Sequence, residues 1–329
     1  MCLFHVEIDT KRTSQRRDSP CPGSRLKRLL DWRVRRLIIN ADDFGLTLGV
    51  NRAIAECHQR GVVASATLMA TGAALTDAAG LATGMPKLSV GCHVVLVDGV
   101  PMLPAGEVPS LACAQAGTAF SPTLGGFLRR VAAGRFAEEE IEAEATAQFQ
   151  KLQGAGVTIS HFDTHKHTHI FPTVLRPLLR AARTCGIRAV RNPFVPSRPL
   201  AFEELRGRPF LWKRYLQVRA LRRFLPAFQE LVVEHGMVAP DGCLGVMETG
   251  FLDETLFAAM VRTLCDALPE GTWEMVCHPG YNDAGLAGVR TRLRESRERE
   301  LRVLTSAGAR EVLERGGVEL ISYGELASG

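Results

Sequence analysis

Arg36-Leu37-Ile38-Ile39-Asn40-Ala41-Asp42-Asp43-Phe44-Gly45 is the stretch that decides the fold. Its first half is a short apolar run, which reads as a buried strand. Its second half, from Ala41 to Gly45, reads as a loop. Val50, Ala53, Ile54 and Cys57 follow at helical spacing, and Gly61 is placed to stop that helix. The same alternation recurs along the chain. Residues 62–69 and 88–96 read as strands, with an Ala-rich helix around 73–83 between them. Residues 97–136 are rich in Pro and Gly and read as a long loop. Residues 138–152 form a helix, acidic at its start as the helix dipole favours. Strands are expected at 157–162, 187–191, 244–248, 272–277 and 318–323, and helices at 172–185, 253–268 and within 290–316. Eight strands alternating with helices predict an α/β fold, a distorted (β/α) barrel of the TIM-barrel type. A doubly wound open sheet is the alternative.

The barrel reading places chemistry on one edge. Asp42 and Asp43 follow strand one, and His93 lies near the end of strand three. The run His161-Phe162-Asp163-Thr164-His165-Lys166-His167-Thr168-His169 leaves strand four, and Cys277-His278-Pro279-Gly280 leaves strand seven. The carboxyl ends of parallel strands are where active sites form. Asp42 and Asp43 are adjacent, so in an extended segment they point to opposite sides. One could then bind a metal while the other reaches water or substrate. Each residue also has a plainer reading: a turn aspartate, a core histidine, a loop histidine. In the cluster, His165, His167 and His169 share a face if the segment is extended; only His165 and His169 do if it is helical. An Asp with two His gives three ligands and leaves open positions, an arrangement suited to catalysis. The same triad serves non-haem iron oxygenases.

Composition narrows the classes. Of 329 residues, 46% are hydrophobic and 23% charged, as in an ordinary globular protein. The net charge of +5 is uneven. Residues 1–36 hold ten Lys/Arg and four Asp/Glu, whereas the other 293 carry 30 and 31. The excess thus belongs to residues 1–33, read as a basic, disordered tail, and no nucleic-acid role is expected of the folded body. That body, 34–329, is read as one domain with a basic, aromatic insert at 196–242. Nine cysteines without a C-x-x-C pair fit reduced thiols. Cys92 and Cys277 are expected to face away from the neighbouring histidines and serve packing. No apolar run suits a transmembrane helix or a signal core, so a cytoplasmic location is expected.

The motifs N-A-D-D-F-G (40–45), G-C-H-V-V-L (91–96), H-F-D-T-H-K-H-T-H (161–169) and E-M-V-C-H-P-G (274–280) resemble those of the YdjC-like carbohydrate deacetylases, the ChbG/HpnK group of chitooligosaccharide and hopanoid-associated enzymes. The resemblance runs from about Arg36 to about Leu326. It implies a metal-dependent hydrolysis of the N-acetyl group of an amino sugar, with release of acetate. It implies one divalent cation, magnesium or else zinc, on Asp43, His93 and His165. It also implies Asp42 as base and His278 as acid. Asp163, His167, His169 and Tyr281 are left as supporting or substrate-side residues. The insert departs from the shorter chitooligosaccharide enzymes. It could be an amphipathic excursion packed on the barrel, or touch a lipid carrier or membrane surface. The substrate is expected to be an N-acetylated sugar, with lipid linkage and a homodimer left open. Two other classes stay in view: an iron oxygenase, and a non-catalytic sugar- or lipid-binding barrel.

Overall fold

The computed structural model describes residues 35–113, 119–196 and 209–328; the basic residues 1–33 lie outside them. All eight expected strands are present: β1 (Arg35–Phe44), β2 (Ser65–Leu68), β3 (Ser89–Val94), β4 (His161–Thr164), β5 (Ala189–Val190), β6 (Gly242–Leu244), β7 (Gly271–Cys277) and β8 (Val318–Leu320). Every pairing is parallel, in the order β5-β4-β3-β2-β1-β7-β6. β8 pairs with Arg35–Leu37 at the start of β1, while β2 pairs from Asn40 onward. Isolated backbone bonds join the two ends of the sheet, from Val190 N–H to the Val238 carbonyl and from Cys243 N–H to the Phe194 carbonyl. The result is a distorted barrel, closed by contacts instead of a continuous ladder.

Strand alternation builds the interior in layers. Leu37, Ile39 and Ala41 of β1 join the large core beneath the helices. Ile38 points the other way and packs with Ala189, Ile321 and Tyr323. Above this apolar floor the interior turns polar. Asn40, Thr67, His161, Asp163 and Glu274 are all fully buried, so each must find a partner inside. The His161 ring stacks on Tyr323, with centroids 3.6 Å apart. Its nitrogens lie 2.8 Å from Ser160 Oγ and 3.2 Å from Asn40 Oδ1. Gly91 makes room for it: a Cβ there would sit 2.5 Å from the ring.

Several boundaries shift. β1 continues to Phe44, so Asp42 and Asp43 lie within its irregular end and not in a following loop. β4 starts later than expected and takes in Asp163. β6 ends at Leu244, ahead of the turn that carries Glu248. The long loop at 97–136 contains a helix, Leu124–Ala132, capped by Thr123. In the insert, helices span Pro209–Leu221 and Leu225–Glu234, while residues 197–208 lie outside those described. Cys92 and Cys277 are buried in the outer core, as alternation required, and burial pushes both thiols well up.

Candidate active site

The end of β1 is bent by its own sequence. Asp43 adopts φ 67° and Gly45 φ 87°, a region that aspartate tolerates and glycine enters freely. The Gly45 N–H donates to Asn51 Oδ1 at 2.7 Å, and Asn51 reaches on to the Ala74 carbonyl. Thr47 caps the following helix, Leu48–Arg60, accepting from Val50 N–H. The left-handed residue breaks the alternation expected of adjacent positions. Both carboxylates therefore face the same cleft instead of opposite sides.

Asp43 Oδ1 lies 3.6 Å from His93 Nε2 and 3.7 Å from His165 Nδ1. The two imidazole nitrogens are 3.3 Å apart. Donor atoms about 2.0–2.2 Å from a shared cation are held about 3–3.6 Å apart by octahedral or tetrahedral angles. These three atoms, 3.3 to 3.7 Å apart, come close to that triangle. His93 Nδ1 is 2.7 Å from Asp163 Oδ1, the carboxylate–imidazole pairing that orients a ligating ring. Asp43 Oδ2 accepts from Arg297 Nη2 at 2.5 Å, which leaves Oδ1 for the triangle. A second set, Asp42, His93 and Asp163, is equally compact. Its atoms are already committed to Arg191 and to each other, so it makes a poorer cation site.

Asp42 is held differently. Arg191 grips it with two parallel bonds, Nη1 to Oδ2 at 2.8 Å and Nη2 to Oδ1 at 2.7 Å. Asn40 and Thr67 add bonds to Oδ1. The same buried guanidinium touches Asp163 and donates to Glu274 Oε1. The Tyr323 hydroxyl donates to the other Glu274 oxygen at 2.5 Å. Oδ2 of Asp42 keeps a free side, and there His278 Nε2 stands 3.9 Å away. The His278 backbone N–H donates to the buried Glu300 at 2.5 Å.

Charge follows from these contacts. Burial pushes the Asp42 carboxyl up, but Arg191 outweighs it and holds the group well below the usual range. Burial acts likewise on Asp43, and Arg297 with the imidazoles overrides it. Burial would lower His93, yet Asp163, Asp42 and Asp43 raise it to about 9. Burial and the neighbouring His93 press His165 down to about 3, so its ring is neutral with a lone pair to give. A carboxylate cradle that drives one imidazole to hold a proton is the environment a cation would satisfy.

The histidine cluster fits neither the extended nor the helical expectation. Residues His165–Ile170 form a tight 3₁₀ turn, with Lys166 and His167 at φ 59° and 53°. Of its histidines, His165 enters the triangle. His169 Nδ1 lies 2.6 Å from Thr164 Oγ1, and Nε2 lies 3.1 Å from the Arg191 carbonyl. Both nitrogens are thus spent on bracing the turn. His167 Nδ1 is buried and has no hydrogen-bond partner among the described residues. Tyr281 donates its hydroxyl to Glu56 at 2.6 Å, with Arg52 over its ring; its contacts lie on the Leu48–Arg60 helix, away from the Asp/His group. Sequence reasoning missed Arg191, Arg297, Glu274 and Glu300. Arg191 carried a signal, since it ends the fifth predicted strand on the same edge. Arg297 carried none among the arginines of its helix.

With this geometry in place, the comparisons with known proteins define the class. The YdjC-like protein model matches residues 36–315. The chain therefore belongs to the YdjC-like family. Among curated relatives, a carbohydrate deacetylase of Geobacillus stearothermophilus is 34% identical, covering 89% of this chain and 98% of that protein. A chitooligosaccharide deacetylase of Proteus mirabilis is 30% identical, covering 88% and 98%. The crystal structure of an Enterococcus faecalis protein, provisionally named a cellobiose-phosphate cleavage protein, is 27% identical with a TM-score of 0.69, covering 89% and 99%.

Proposed function

We propose that this chain is a hydrolase that removes the N-acetyl group of an amino sugar, with Asp43, His93 and His165 holding a divalent cation. The observation that carries the reading is the 3.3–3.7 Å triangle of one carboxylate oxygen and two imidazole nitrogens. It stands beside a second ionised aspartate and a histidine, in a chain related over nearly its whole length to carbohydrate deacetylases. When bound there, the cation would polarise the acetyl carbonyl and acidify a water, which suits a base as weak as an arginine-paired aspartate. Two imidazoles and one carboxylate suit zinc or a similar first-row ion better than magnesium, which prefers all-oxygen sites.

The remaining work falls to the chain itself. Asp42 Oδ2, the oxygen with an unfilled side, takes the proton of the attacking water. Arg191 keeps the carboxylate ionised and fixes its plane. His278, whose loop Glu300 ties down, stands across from Asp42 and delivers a proton to the sugar nitrogen as the C–N bond breaks. Acetate and a free amine leave. An iron oxygenase with the same triad would be expected on a jelly roll, whereas every strand pairing described here is parallel.

The test is acetate release by the purified chain from short chitooligosaccharides and lipid-linked N-acetylglucosamine, with metal analysis alongside. Asp43→Ala should lose the bound metal and at least about a thousandfold in rate, since it removes a ligand at the reacting centre. Full deacetylation with metal retained in that variant would overturn the assignment. Tight binding with zero rate on every acetylated sugar would favour a pure binding protein.

A further inference from the structure

The helix Pro209–Leu221 carries apolar residues on two sides, and packing explains one of them. Tyr215, Val218 and Leu221 lie against the core. Leu216 stands off that side at 63% exposed, and Trp212, whose ring edge meets Tyr215, is still 36% exposed. At helical spacing, 212, 216 and 219 form one stripe, and Arg223 follows on the short 3₁₀ turn Arg222–Phe224. Lys213, Arg219 and Arg223 are exposed with them. From Trp212 to Phe224 the sequence holds five Lys/Arg and no acidic residue. Among the described residues, none of the three exposed cations is paired with a carboxylate. Arg219 donates to the Tyr215 hydroxyl and Arg223 lies over the Phe224 ring. A helix that sets an exposed Trp and Leu among cations with no carboxylate partner among the described residues has the composition of an interfacial helix.

Its attachment is equally specific. Arg214 donates to the carbonyls of Met247 and Thr249, just beyond β6. The Phe224 ring meets Phe171, directly after the histidine turn. The helix and the 3₁₀ turn after it thus grip two loops that leave the carboxyl edge of the sheet, the edge that bears Asp43, His93 and His165.

We infer that the face made by Trp212, Lys213, Leu216, Arg219 and Arg223 docks on an anionic lipid surface. Charge complementarity selects that occupant: the cations need negative headgroups, and the Trp and Leu need the acyl boundary. The helix is anchored on loops of the active-site edge, so docking there would hold the cleft close to molecules anchored in the same surface.

The test is vesicle co-sedimentation of the full chain, read without substrate and so independent of the deacetylase reading. Binding should be at least about tenfold stronger to phosphatidylcholine vesicles containing about one third phosphatidylglycerol than to phosphatidylcholine alone, and should weaken with salt. The double variant Leu216→Glu/Arg219→Glu should lose about tenfold in affinity for the anionic vesicles. Its circular dichroism, and its activity on a soluble sugar, should not change. Equal binding by the variant would place the contact elsewhere, the basic residues 1–33 included, and overturn the proposal. So would absence of vesicle binding by the unaltered chain. A dimer that the variant dissociates, with no vesicle binding, would assign the face to a second copy and overturn it too.

Discussion

Asp42 and Asp43 are neighbours in sequence and occupy opposite halves of the site. The Asp42 half is closed. Arg191 sits among Asp42, Asp163 and Glu274, Tyr323 completes Glu274, and the Asp42 and Arg191 side chains are at most 2% exposed. The Asp43 half is open. One Asp43 oxygen is satisfied by Arg297, and the other stands 3.6 and 3.7 Å from two imidazole nitrogens, beyond direct hydrogen-bond distance. The difference teaches what separates a scaffold from a site. Both halves hold buried charge, but only one aims a carboxylate oxygen and two imidazole nitrogens at a common point.

The comparison can be broken at the closed half with the largest effect. Arg191→Met leaves three buried carboxylates without their counter-ion. Breaking a buried pair costs about 3–5 kcal/mol, so urea denaturation should show a loss of that size. A loss below about 1 kcal/mol would mean that water reaches the network and that it is not a scaffold.

Asp163 joins the two halves, touching Arg191 on one side and His93 on the other. Asp163→Asn keeps the shape and removes the charge that orients His93. Metal affinity, followed by titration, should fall about 10–100-fold. Unchanged affinity would assign Asp163 to the closed half alone.

The subtlest distinction is in pH. The folded Asp42 carboxyl is held below its unfolded value of about 3.9. Its contribution to stability is therefore present above that value and lost as pH falls below it. Resistance to thermal unfolding should weaken from about pH 6.5 downward, where the buried neutral His165 begins to cost stability, and more steeply below about 4, where the Asp42 contribution is lost. In Arg191→Met the strongest opponent of burial at Asp42 is gone and only the weaker pull of His93 and His278 remains. The acid decline due to Asp42 should therefore shrink or reverse, because a carboxyl raised toward or above its unfolded value no longer loses stability as pH falls. An acid limb identical in the two proteins would show that the pair does not set acid stability.

Much of this was legible in the chain. The apolar run 36–40 and its recurrences gave eight strands, because strand burial writes hydrophobicity locally. The carboxyl-edge rule then brought Asp43, His93 and His165 to one place before any coordinates. The polar interior was legible too, though less openly. Asn40 and Asp42, or His161 and Asp163, alternate with buried apolar neighbours such as Ala41 and Phe162, and that period marks a strand with two different faces. What resisted reading was set by non-local contact. Nothing in Arg297 or Glu300 distinguishes them from other charged residues of the same helix. Their roles arise because that helix packs where the β1 and β7 loops end.

The sequence by itself determined the strand–helix rhythm, the residues available to the cleft and the family they resemble. Periodicity and motif spacing are local properties that need no partner to be seen. Only the tertiary structure decided that Asp42 and Asp43 face the same way, through the left-handed turn at Asp43. It alone decided that His165 is free to give a lone pair while His169 is spent as a brace. A ligand is defined by what its other atoms are already bonded to, and those partners lie up to hundreds of residues away along the chain, as Arg297 does from Asp43.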